Sequence, residues 1–98
     1  MTIREFIING LLVNANERLE KLTEMSAPQI IIDGQEKYIE NLKNGSIKIG
    51  GDADTLDELY ISHDIRTGRG GKKYLNINNS INFFPNAQYG MYIKRATK

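Results

Sequence analysis

The sequence predicts an α+β fold, an N-terminal antiparallel helical hairpin packed on a C-terminal antiparallel β-meander. Three observations carry this. Apolar residues recur at steps of three and four through the first half, as in Ile8, Leu12, Ala15, Leu19 and Leu22. From Ser46 onward the spacing changes to alternation. Clusters of Gly, Asn and Pro then punctuate the second half at short intervals, as turns between strands do.

The first helix is expected over residues 3–23. Thr2-Ile3-Arg4-Glu5 matches a capping box, in which the Thr2 hydroxyl accepts from the Glu5 amide and Glu5 reaches back to the Thr2 amide. Ile3, Phe6, Ile7 and Leu11 widen the apolar stripe at its start. A helix end that is apolar on more than one side is covered by core or by a second copy of the protein, so these four residues are the expected surface for a homo-oligomer. The second helix is expected over 27–43. Ser26 would be its N-cap, with Pro28 in the first turn, Gln29 at the reach-back position and Asn44-Gly45 as the stop. Ile31, Gln35, Tyr38 and Leu42 form its stripe, with Ile32 and Ile39 beside them. Asp33-Gly34 offers a competing β-hairpin turn, which the caps at both ends outweigh.

Strands are expected over 46–49, 59–65, 74–83 and 88–94. Gly50-Gly51 ends the first, and Thr55 caps a turn or single helical turn opened by Asp52-Ala53-Asp54. Leu59, Ile61, His63 and Ile65 fall on one face of the second strand and are assigned to the core. Leu75, Ile77, Ile81 and Phe83 alternate along a third strand interrupted at Asn78-Asn79. Phe84-Pro85-Asn86-Ala87 reads as a turn, because proline cannot donate to a central ladder. Tyr89, Met91 and Ile93 alternate in the last strand, and the basic tail Lys94–Lys98 is expected to fray.

The chain has 98 residues, room for one domain over 1–98, with 40% hydrophobic and 26% charged residues, an ordinary composition for a folded protein. A net charge of +1 rules out a whole-protein polyanion footprint, so electrostatic binding has to come from local clustering. The absence of cysteine removes disulfides, thiolate nucleophiles and zinc–thiolate sites. The apolar stretch Phe6–Val13 is broken by Asn9-Gly10 and lacks the flanks of a signal peptide, so a cytoplasmic protein without membrane association is expected.

One stretch clusters charge. Arg66-Thr67-Gly68-Arg69-Gly70-Gly71-Lys72-Lys73 packs three glycines and four cations into eight residues. It fails the mononucleotide pattern, since Lys73 stands where a hydroxyl should follow the lysine, and it lacks the third glycine of the dinucleotide pattern. Three readings remain: an exposed hairpin tip, contact with an anion or nucleic acid, or contact with an acidic protein surface. Tyr74 and Asn76, with Asn78, are expected on the face away from the core, where a ring and amides could stack on and bond a base. The candidate binding residues are therefore Arg66 through Lys73 with Tyr74 and Asn76.

No catalytic residues and no cofactor are assigned. His63 is the only histidine, and Asp64 beside it points to the other strand face, so they form no dyad. Asp52, Asp54, Asp57 and Glu58 lack the calcium-loop spacing, and no metal is assigned to them. Glu36 and Glu40 read as solvated. The expected function is a non-enzymatic binding or regulatory protein that docks on a larger partner with an acidic surface. Its size and its richness in Ile, Asn and Lys suit an inhibitor of host machinery carried by a phage or mobile element. The alternative is a nucleic-acid or nucleotide-binding module built on the basic loop.

Overall fold

A computed structural model describes residues 1–86 and 88–96. The elements run α1 (Ile3–Glu24), α2 (Gln29–Asn44), β1 (Ile49–Gly51), a 3-10 turn at Ala53–Asp57, β2 (His63–Thr67), β3 (Lys73–Ile77), β4 (Ile81–Asn86) and β5 (Gly90–Arg95). The expected α+β class holds, with helices first and strands after. Two compact units make up the chain, one of residues 5–46 and one of residues 1–4 with 47–98.

In the helical unit, the expected α1 stripe is the one withdrawn from solvent: Ala15 is buried and Ile8, Leu12, Leu19 and Leu22 are half-buried. The α2 stripe is rotated from expectation. Ile39 and Leu42 are buried and Ile32 and Gln35 half-buried, whereas Ile31 and Tyr38 face solvent. The Gln35 amide Nε2 donates to the Ala15 carbonyl at 3.0 Å, so the small Ala15 side chain marks where the helices meet. That bond turns Gln35 inward and sets which neighbours follow it. α2 runs unbroken through Asp33-Gly34, so no β-hairpin forms there.

Ser26 does not cap α2, a correction to the sequence reading. Pro28 occupies the N-cap position without a side-chain bond, and Ser26 closes α1 instead. Its backbone is left-handed at φ 53°, the Ser26 amide donates to the Thr23 carbonyl at 3.1 Å, and the Ala27 amide donates to Leu22 at 3.0 Å. This is the Schellman pair of bonds with serine where glycine is usual. Gly45 closes α2 with the same pair, as Asn44-Gly45 led one to expect.

The other unit is a sheet in the order β1-β5-β4-β3-β2. β2 to β5 form the expected antiparallel meander, while β1 joins β5 in parallel, so the sheet is mixed. β1 lies over Ile49–Gly51 and not 46–49, because Gly50-Gly51 belong to the strand instead of breaking it. At Gly51, with φ 81°, a Cβ would stand 2.0 Å from the Ile93 carbonyl oxygen, so only glycine lets the two backbones approach.

The single strand expected over 74–83 is two. Asn78 and Asn79 both adopt left-handed backbone, φ 54° and 57°, and the Ser80 amide donates back to the Ile77 carbonyl at 3.2 Å. The left-handed pair, with Ser80, makes a three-residue hairpin loop. It sets Ile77 opposite Ile81 and Leu75 opposite Phe83. Ile77, Ile81, Phe83, Met91 and Ile93 are buried, as their alternation predicts.

β4 also continues through Phe84, Pro85 and Asn86, where a turn was expected. β3 pairs β4 only as far as Phe83, and the opposing Met91 amide turns to the Lys48 carbonyl, so Pro85 withholds no ladder bond. Ala87 of that expected turn lies outside the described residues. So do Thr97 and Lys98 of the tail, whose first residues Lys94 and Arg95 are strand.

Residues 1–3 belong with the sheet. The Ile3 amide donates to the Glu58 carbonyl at 2.9 Å and the Tyr60 amide to Met1 at 3.0 Å. Ile3 and Ile7 are buried within one chain, so two of the four residues expected for self-association are withdrawn; Phe6 and Leu11 are half-buried.

Candidate docking site

The basic stretch is the tip of the β2–β3 hairpin. Thr67 pairs with Lys73, leaving residues 68–72 to turn the chain. The Gly68 amide donates to the Lys72 carbonyl at 2.7 Å and the Gly71 amide to Gly68 at 3.2 Å, closing a short 3-10 turn at Arg69–Gly71. Gly70 and Gly71 sit at φ 71° and 75°, a left-handed backbone that glycine adopts without steric cost. Two glycine amides are thereby spent inside the tip, which weakens any reading of the loop as an amide cradle for phosphate.

The charges are a separate matter. Every residue from Arg66 to Lys73 is exposed. Arg66 Nε lies 3.1 Å from Asp64 Oδ2 on the same strand face, an exposed pair worth at most about 1 kcal/mol. Among the described residues no carboxylate pairs with Arg69, Lys72 or Lys73. Arg69 and Lys72 on the projecting turn and Lys73 at the start of β3 thus stand close together with no carboxylate partner among the described residues.

The flanking residues divide. Tyr74 is half-buried, its ring 5.1 Å from Phe84, and Phe84 lies 6.5 Å from Tyr92, which lies 6.3 Å from Tyr89. The register sets Tyr74, Phe84 and Tyr92 on one sheet face with Arg66. Asn76 is fully buried and so cannot touch a ligand as expected. It sits mid-strand between Asp64 and Asn82, and its Nδ2 donates to Asn82 Oδ1 at 2.7 Å while its Oδ1 has no hydrogen-bond partner among the described residues. Asn78 is structural too. Its Oδ1 accepts the Ile61 amide at 2.8 Å and the Ser62 amide at 3.3 Å, and its Nδ2 donates to the Leu59 carbonyl at 2.8 Å.

That clamp changes the segment read as a strand over 59–65. β2 begins only at His63, and Leu59, Ile61 and Ile65 are 71%, 78% and 65% exposed instead of in the core. His63 is exposed as well, with Nδ1 2.8 Å from the Tyr60 hydroxyl. β2 is the last strand of the sheet, so alternation there marks a face without a cover. The sequence reading missed this apolar edge.

The acidic stretch has structural partners. Thr55 is buried and its Oγ1 donates to the Asp52 carbonyl at 2.8 Å; Asp52 Oδ2 accepts the Arg95 amide at 3.0 Å. Asp57 faces Arg4 at 3.7 Å. Glu58 pairs with Arg95, and this hydrogen bond, with the charge behind it, raises the guanidinium above its ordinary value. Glu36 and Glu40 are exposed. Among the described residues no helix is long and apolar enough to cross a membrane. Compared with protein-family models, with curated proteins and with solved structures, the chain matches none.

Proposed function

We propose that this chain is a non-enzymatic binding protein that docks on an acidic surface of a larger protein through the β2–β3 hairpin tip. The observation that carries the reading is the trio Arg69, Lys72 and Lys73, exposed together on a hydrogen-bonded turn and unmatched by any described carboxylate. The turn needs its glycines; it does not need the cations in it and beside it. Like charges clustered on a projecting tip steer an acidic partner toward it. An inhibitor that acts by covering its partner is the form of docking this size suits.

The test is a charge reversal. Tagged protein is used to recover binding proteins, and the stoichiometric partner is measured against Arg69→Glu and Lys72→Glu. Each reversal is expected to weaken the complex by about tenfold or more while leaving the circular dichroism unchanged. A partner bound equally well by both variants would place its contact elsewhere.

The aromatic row favours a second reading. Tyr74, Phe84 and Tyr92 share a sheet face with Arg66, an arrangement that can stack bases of a single strand while the tip holds its phosphates. Binding of this kind falls steeply with salt, at a slope set by the phosphates neutralised. Fluorescence anisotropy with labelled single-stranded oligonucleotides across a salt series decides it, and a flat response ends this alternative.

A further inference from the structure

We propose that two copies of this chain join at the sheet edge formed by β2, strand against strand in antiparallel register about Ile65, giving one continuous sheet across a two-fold axis. β2 has a strand neighbour on one side only, and all five of its residues are exposed. Edges of this kind are normally blunted by proline, charged side chains or a bulge; β2 has no proline and an unbroken register, and its two charges, Asp64 and Arg66, are of opposite sign and so can pair across a second copy. The central residue is an isoleucine that leaves 65% of its surface in water.

The backbone has the right groups turned outward. Ser62 accepts the Asn78 amide, and the Gly68 amide donates to Lys72, so even-numbered positions bond inward to β3. With the two-residue period of a strand, Asp64 and Arg66 do the same, and the N–H and C=O of Ile65 and Thr67 face the edge. Pairing about Ile65 sets it opposite Ile65 of the second copy, with both bonds of that pair made.

Charge complementarity selects this register. Asp64 of each copy falls opposite Arg66 of the other, at positions where the strands come closest, with Cα atoms about 4.5 Å apart. The intramolecular Asp64–Arg66 pair becomes half of an alternating four-charge cluster. Moving the centre to Asp64 or Arg66 sets like charges opposite each other at the closest approach of the strands. Moving it to Thr67 leaves Arg66 opposite Gly68 and Ile65 opposite Arg69. Moving it to His63 requires the Ile61 amide, which Asn78 already holds at 2.8 Å. The clamp at Asn78 and the turn at Gly68 thus bound a contact of five residues. A contact this small gives a weak, concentration-dependent dimer related by an isologous two-fold.

Sedimentation equilibrium of the full chain from about 10 micromolar to about a millimolar tests the idea, because a contact of this size belongs in that affinity range. The wild type is expected to shift from monomer to dimer mass, and Ile65→Lys to stay monomeric with unchanged circular dichroism. Arg66→Asp alone puts Asp64 opposite an aspartate and raises the dissociation constant by about tenfold or more. The double swap Asp64→Arg with Arg66→Asp restores opposite charges and is expected to recover the dimer. A wild type that stays monomeric at the highest concentration overturns the proposal and leaves the edge to another protein's strand. So does a dimer that survives Ile65→Lys, which would point to another surface such as Phe6 and Leu11, and so does a folded double swap that fails to recover association.

Discussion

The side-chain oxygen of Asn78 accepts the backbone amide of Ile61 from 2.8 Å, seventeen residues away in sequence. One carboxamide, on a residue whose backbone is left-handed, fixes the Leu59–Ser62 segment that the first residues of the chain also pair with. Glycine at position 78 keeps the turn conformation and removes only the clamp. Asn78→Gly is therefore expected to lower stability by about 1–3 kcal/mol, the cost of leaving these backbone groups without their partner. Urea denaturation measures the loss, and hydrogen exchange at the Ile61 amide should quicken with it.

Ser26 spends its backbone in a conformation that glycine adopts without a steric penalty. Ser26→Gly keeps both closing bonds of α1 and removes the Cβ strain, for a gain of about 1 kcal/mol. If Ser26 were instead the N-cap of α2, the same change would be nearly neutral to slightly destabilising. A rise in thermal midpoint separates the two roles.

Two glycine-to-alanine changes should act in opposite directions. Gly10 lies inside α1 with nothing within 4 Å of a Cβ, so Gly10→Ala stabilises by about 0.5–1 kcal/mol. Gly51→Ala drives its methyl to 2.0 Å from the Ile93 oxygen at a positive φ, and it should separate β1 from β5. Loss of the Asp52 amide bond to Ile93, read by hydrogen exchange, is the local signature. Equal melting temperatures for the two variants would contradict this account.

Beside the Asn76–Asn82 bond, the buried Asn76 Oδ1 has no partner among the described residues. Asn76→Ala alone strips Asn82 of its donor and is expected to cost about 1–3 kcal/mol. Replacing both with valine removes the polar atoms together and suits the strands, so the double variant should lose less than either single change. A double-mutant cycle in denaturant reads this coupling.

The helices were legible in the sequence because a 3.6-residue period reports a face directly, and Ala15 and Leu42 are buried as that period implied. Ser26 was not, since Ser-Ala-Pro-Gln serves equally as the end of one helix and the start of the next. The strands from Ile77 to Ile93 were read on the correct face, but alternation cannot say whether a face is covered. That is why Leu59, Ile61 and Ile65 were assigned to a core that does not reach them. Asn78-Asn79 carried a stronger signal than was used. It marks the turn, but the loop includes Ser80, so Ile77 faces Ile81 and Asn76 faces Asn82, one residue off from what a two-residue turn there would give. The basic tip was located correctly as a turn. The partner proposed for it is another molecule, and one chain's sequence carries no record of that molecule's surface.

Met1 to Arg4 belong to the sheet unit, which resumes only at Ile47, so the helical unit is an insertion anchored at both ends. A protease that cut the exposed turn at Met25 would release neither helix, for α1 stays joined to residues bonded to Glu58 and Tyr60, and α2 runs on into β1. Fragments 1–25 and 26–98 made separately should reassemble by restoring those same backbone bonds. Residues 1–4 thus belong to a unit whose other residues begin only at Ile47, more than forty positions along the chain.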